Sequence, residues 1–98
     1  MLKNFQAYEL ALTLYKQCEK LKAKRHLKDQ LDRASLSVVL NLSEGSAKTT
    51  QPEQRRFYAI ALGSLRETQS ILQILDQKEV FSIADRLGAI VYRLVHPR

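Results

Sequence analysis

Apolar residues return every three or four positions along most of this chain. Ala7, Ala11, Leu14, Cys18 and Leu21 step by four and three, the spacing of one face of an α-helix. A second stripe, Phe5, Tyr8, Leu12 and Tyr15, lies beside it, so the apolar face is wide enough to touch more than one neighbour. The pattern predicts a helix over 5–23, with Asn4 as its cap. A second helix carries Leu27, Leu31, Ala34 and Val38, followed by Asn41 or Leu42. Leu36, Val39 and Leu40 make it apolar on most sides, as suits a helix that is central or shared with another subunit. Gly45 fits a helix C-terminus, where a left-handed residue is favoured; alternatively the helix runs on to Ala47 with the glycine inside it. The run Thr50-Gln51-Pro52-Glu53 then reads as a helix start, with Thr50 capping, Glu53 closing a capping box and Pro52 in the first turn. The third helix is expected to reach about Asp76 on a seam of Phe57, Ala61, Ser64, Thr68, Ile71 and Leu75. Ala61, Gly63 and Ser64 are small and admit another helix closely; a glycine inside a helix otherwise costs about 1 kcal/mol against alanine. A fourth helix spans about 80–95 on Ala84, Leu87, Val91 and Leu94, flanked by Ile83, Ile90 and Val95. No strand pattern, repeat or linker interrupts this series. The expectation is a single domain over 1–98, an all-α antiparallel up-down four-helix bundle.

The chain has 98 residues, so one copy buries limited apolar surface, and oligomerisation would add core. Its formal charge of +6 favours polyanionic partners. The charge is uneven. Residues 1–28 hold seven basic and two acidic side chains, residues 29–47 one and three, residues 48–66 four and one, and the remainder four and four. Two basic clusters result: Lys20, Lys22, Lys24, Arg25 and Lys28 around the first connection, and Lys48, Arg55 and Arg56 around the start of the third helix. Lys20, Lys24 and Lys28 would line one face if the helix continued through residue 25. These residues are candidate contacts for nucleic-acid phosphates, salt-sensitive and largely independent of sequence. The competing reading is a solvated face that keeps the protein soluble. One cysteine, Cys18, excludes an intrachain disulfide and sits on an apolar face as a structural thiol. No signal-peptide pattern is present, and no apolar run approaches the ~20 residues of a membrane span, so the protein is expected to be cytoplasmic with no membrane partner.

Little points to catalysis. Glu44 and Glu67 are a candidate carboxylate pair, but a di-metal bundle site needs Glu-x-x-His motifs, and neither His26 nor His96 follows a glutamate at that spacing. The structural reading has both glutamates satisfying polar partners between helices, such as Asn41 or Ser64, with Asn41 a specificity device on an apolar face. Phosphate-loop, catalytic-triad and zinc spacings are missing from the sequence. The expectation is a non-enzymatic protein without cofactor or metal. Tyr8, Tyr15, Phe57 and Tyr58 fall on the seams and read as core, leaving Tyr92 as the exposed aromatic; Arg66 reads as a subunit contact.

The combination of Phe5, Ala7, Tyr8 and Ala11, then Gln30-Leu31, Arg33-Ala34 and Ser37, then Asn41-x-x-Glu44-Gly45, and finally Arg56-Phe57, Ala61, Gly63-Ser64-Leu65 and Glu67 resembles the family of 23S rRNA intervening-sequence proteins. Leu42 and Ser43 stand where members often carry Ile and Ala. The resemblance covers nearly the whole chain and implies a bundle that assembles as a ring-shaped homopentamer and binds RNA or DNA. It marks Asn41, Glu44, Gly45, Phe57, Gly63, Ser64 and Glu67 as the structural motif. A structural relative of that family, the accessory variability determinant of diversity-generating retroelements, works with a reverse transcriptase and nucleic acid. The leading expectation is therefore a nucleic-acid-binding accessory or scaffold protein. The alternative is a protein–protein assembly module that docks a partner such as a reverse transcriptase. Convergence of the two basic clusters favours the first; scatter, or pairing with Asp29, Asp32 and Glu53, favours the second.

Overall fold

The computed structural model describes residues 5–97, the side chain of Phe5 excepted; the cap predicted at Asn4 lies outside the described residues. The chain forms α1 (Phe5–Lys20), α2 (Arg25–Ala47), α3 (Gln51–Ile74) and α4 (Lys78–Val95), with no strand among the described residues. Each helix packs against two others, in the cycle α1–α2, α2–α3, α3–α4 and α4–α1. The result is an elongated body of 40 × 21 × 19 Å. Its radius of gyration, 12.9 Å, equals the roughly 13 Å of a folded chain of about 100 residues.

The predicted four-three lines face the centre. Ala7, Ala11, Leu14 and Cys18 of α1 are buried, as are Leu31, Ala34, Val38 and Leu42 of α2 and Val80, Ala84, Leu87 and Val91 of α4. In α3 the inner line is rotated from the predicted one. Tyr58, Ala61, Leu65, Thr68, Gln69, Ile71 and Leu72 are buried, so the predicted Ala61, Thr68 and Ile71 do face inward, while Phe57, Ser64 and Leu75 are only half-buried. The apolar arc of α3 is wide because it serves both α2 and α4, so several lines through it keep helical spacing.

Helix ends differ from the sequence expectation where local chemistry outweighs periodicity. α1 stops at Lys20 rather than near Ala23, and the Leu21 N–H closes on the Cys18 carbonyl at 3.1 Å. Lys28 holds that end. Its Nζ donates to the carbonyls of Cys18 (2.9 Å) and Glu19 (2.8 Å) and pairs with Asp32 at 3.0 Å. A cation on the last carbonyls also complements the helix dipole. Lys28→Met keeps the stem but removes these donors, and should lower unfolding free energy by about 1–2 kcal/mol in urea titrations.

α2 does not end at Gly45. It runs to Ala47, and Gly45 is a buried helical residue with φ outside the left-handed region. The predicted start of α3 holds: the Thr50 side chain accepts from the Glu53 N–H, and its hydroxyl donates to Glu53 Oε1 at 3.1 Å. α3 ends at Ile74, two residues before the expected stop. There Asp76 takes φ 56°, its N–H reaching the Gln73 carbonyl and the Gln77 N–H the Leu72 carbonyl. This is the Schellman termination, which favours glycine at the left-handed position. Asp76→Gly should therefore raise stability by about 0.5–1 kcal/mol, seen as a higher melting temperature.

Candidate nucleic-acid interface

Because α1 stops at Lys20 and α2 starts at Arg25, the first basic cluster sits on a bend rather than on one helical face. Lys20, Lys22, Lys24 and Arg25 are all exposed, as is His26. None of them forms an ion pair among the described residues, where the two pairs are Lys28 with Asp32 and Lys48 with Glu44. Four cations within six residues thus face solvent unneutralised. Lys28, predicted to join them, is occupied by the end of α1.

The second cluster is divided. Lys48 Nζ is 3.2 Å from Glu44 and 5.0 Å from the centre of the Phe57 ring, over which it lies. Arg56 lies over the same ring at 5.3 Å. Both cations therefore cover a half-buried aromatic, and Lys48, at the end of α2, ties it to the start of α3. Arg55 turns the other way, into a groove shared with Arg93 of α4. Sequence reasoning passed over Arg93 because the C-terminal segment is charge-balanced; the packing of α4 against α3 brings it to this cluster. The two clusters flank opposite ends of α2, whose 23 residues span about 35 Å at 1.5 Å per residue. They do not converge within one chain.

The motif residues sit on and between α2 and α3. The Ser37 and Ser64 hydroxyls meet at 2.8 Å, and Asn41 Nδ2 donates to the Ser37 carbonyl and hydroxyl at 2.9 and 3.0 Å. A Cβ on Gly45 would lie 2.7 Å from Tyr58 Cε1 and 3.2 Å from Phe57 Cβ, so this glycine lets α3 approach α2. A model of the 23S rRNA-intervening sequence protein family matches residues 4–89. The chain belongs to this family. No curated protein and no solved structure matches it.

In this intervening-sequence family protein, part of the motif faces outward. Glu44 is exposed and pairs with Lys48, and Glu67 is exposed, so neither glutamate satisfies a buried partner between helices as expected. Gly63 has no atom within 4 Å of a built Cβ, so no helix of the same chain approaches it. It lies on an exposed line of α3, Arg56, Ile60, Gly63, Glu67, Ser70 and Ile74, which repeats the four-three spacing on the outside. On α2, Leu36 and Leu40 are 39% and 56% exposed. That second periodic line was present in the sequence but overlapped the inner one.

Arg66 is exposed and leans towards α4. It donates to Gln69 Oε1 at 2.9 Å, and its Nη1 lies 3.0 Å from where a Gly88 Cβ would be. Gln69 in turn donates to Asp85 at 3.5 Å. Of the aromatics, Tyr58 is buried, Tyr8 and Tyr15 are half-buried, and Tyr92 is 51% exposed. Cys18 is buried against Ser35; burial raises its pKa to about 11, with the Ser35 hydrogen bond and nearby Lys28 opposing, so the thiol stays protonated at neutral pH. No described helix is long and apolar enough to cross a membrane.

Proposed function

We propose that this protein is a non-enzymatic, cytoplasmic accessory or scaffold protein that binds RNA or DNA through phosphates, without sequence preference, as a homo-oligomer. The observation that carries this reading is the bend between α1 and α2, where Lys20, Lys22, Lys24 and Arg25 are exposed and free of ion pairs. Such a patch exchanges condensed counterions for protein cations, which gives affinity that falls with salt. The helices run up and down antiparallel. Ser37 meeting Ser64, and Gly45 meeting Phe57 and Tyr58, support this for α2 and α3, because positions later in one helix meet earlier ones in the other. The protein assembles as a ring-shaped homopentamer through the outer face of α2 and α3. The open space at Gly63 and the exposed Leu36, Leu40 and Ile60 support that assembly. In a ring, each end of the elongated protomer repeats around the axis, so clusters far apart within one chain become two rims with multivalent binding.

The separation of the two clusters, with Lys28 and Lys48 held by Asp32 and Glu44, favours a second reading: a protein–protein assembly module that docks a partner such as a reverse transcriptase. Titration of short hairpin RNA and duplex DNA over a salt series separates the two. Lys22→Glu with Lys24→Glu should weaken binding at least tenfold at low salt. It should also reduce the salt slope by about 2 per engaged subunit. Absence of binding by the unmodified protein at low salt would leave the assembly-module reading in its place.

A further inference from the structure

At the end of the molecule away from the α1–α2 bend, three depressions meet at one side chain. A groove of about 170 Å³ between the start of α3 and the end of α4 is lined by Gln54, Arg55, Tyr58 and Arg93. Arg93 also borders a depression of about 370 Å³ with Arg66 and Tyr92, and a third with Tyr92 and His96. Tyr92 and His96 are both exposed and make a tilted ring contact, with centres 4.5 Å apart and planes at 46°. Gln54 lines the first groove through its stem, while its Nε2 is buried beneath the surface. One acidic group, Asp85, borders the second depression, where Gln69 donates to it.

We propose that this α3–α4 groove is a binding site for single-stranded nucleic acid, an inference that rests on the nucleic-acid reading above. Arg55 and Arg93 take successive phosphates, and a base stacks on the exposed face of Tyr92. Cations alone would suit any polyanion. The aromatic pair beside Arg93 selects unstacked bases, because every base offers a π-face and a duplex keeps its own bases inside. The bend between α1 and α2 carries more cations and, beside them, only the His26 imidazole as an exposed ring, so it makes less of that distinction. The two surfaces therefore differ in what they prefer: backbone charge at one end, unpaired strand at the other.

The test is fluorescence anisotropy at low salt with a short labelled oligouridine and a hairpin RNA of equal length. Tyr92→Ala, Tyr92→Phe and Arg93→Ala are compared with Lys22→Glu/Lys24→Glu, and circular dichroism confirms that each variant is folded. Tyr92→Ala and Arg93→Ala should each weaken oligouridine binding about tenfold or more, with hairpin affinity within about twofold. Tyr92→Phe, which keeps the ring, should restore wild-type binding. If both alanine variants bind oligouridine like the unmodified protein while Lys22→Glu/Lys24→Glu does not, the groove is not the site and nucleic-acid binding stands without it. If the unmodified protein binds neither RNA, the groove and the nucleic-acid reading fall together.

Discussion

Gly45→Val should lower stability by about 3 kcal/mol and the melting temperature by roughly 12–24 °C at fixed protein concentration. The first atom of any side chain at position 45 falls 2.7 Å and 2.9 Å from two ring carbons of Tyr58, closer than carbon atoms pack. Tyr58 is 3% exposed, so its ring cannot swing into solvent, and Phe57 Cβ closes a second side at 3.2 Å. α3 must then move away from α2, opening a core in which Leu42, Ala61 and Leu65 are buried. Gly45→Ala has two opposed effects: about 1 kcal/mol gained in helix propensity against about 1–3 kcal/mol of overpacking. The second should win, leaving a smaller loss. Gly63 supplies the control. With nothing within 4 Å of its Cβ, Gly63→Ala carries only the propensity gain of about 1 kcal/mol. Thermal melts of the three variants check this; equal behaviour of the two alanine variants would refute the assignment of Gly45 as the point of close approach.

On the proposed self-association, Leu40→Arg combined with Ile60→Arg should leave a monomer of unchanged helix content. The two positions are 56% and 43% exposed, so arginine in the isolated chain displaces no core atom. The Ser37–Ser64 hydroxyl pair, with Gly45 against Phe57 and Tyr58, sets a register in which residue 40 falls beside residues 61 and 62, within a turn of residue 60. One subunit contact would therefore cover both. Single exposed leucines are ordinary on a protein surface; here Leu36, Leu40 and Ile60 lie on adjoining faces beside a glycine with open space above it. Burying them against another subunit removes apolar area from water, whereas two arginines per protomer would strand charge in the contact. Light scattering gives the mass and circular dichroism the fold. A wild-type mass equal to one chain, or an unchanged oligomer in the double variant, would remove the self-association reading.

If that assembly forms, Gly63→Ala has a second use. It should raise the stability of the isolated chain and still weaken association, because a methyl group enters space left open only for another subunit. A change of opposite sign in the two measurements distinguishes an intersubunit role from a local one.

The elements were legible from period alone. The four-three lines through Leu14, Val38 and Leu87 face the core, the α3 line does so at Ala61, Thr68 and Ile71, and Thr50 with Pro52 marks a helix start that forms as read. These features depend on neighbours within one or two turns, which a sequence displays directly. The helix ends were less legible. Lys28 reaches back to carbonyls nine and ten residues earlier, and Asp76 accepts a left-handed backbone that glycine usually occupies. The candidate site was partly legible: the cluster of cations at the first connection is a run of sequence. Which of those cations remain free was not, because Lys28 and Lys48 are claimed by partners that folding supplies. Likewise Arg93 carries no signal in its own segment and gains meaning only beside Arg55.

By itself, then, the sequence determined the helical class, the number and order of the helices, and the family. All of these follow from periodic burial and from motif residues held at short separations. Tertiary structure alone decided that Gly45 is a contact and Gly63 an opening, that Glu44 and Glu67 face outward, and that Arg93 joins Arg55. The physical reason is that a helical repeat says which residues share a face, but not which face meets a neighbour. The α2 and α3 helices carry periodic lines on both sides, and only packing against α1 and α4 selects the one that becomes core.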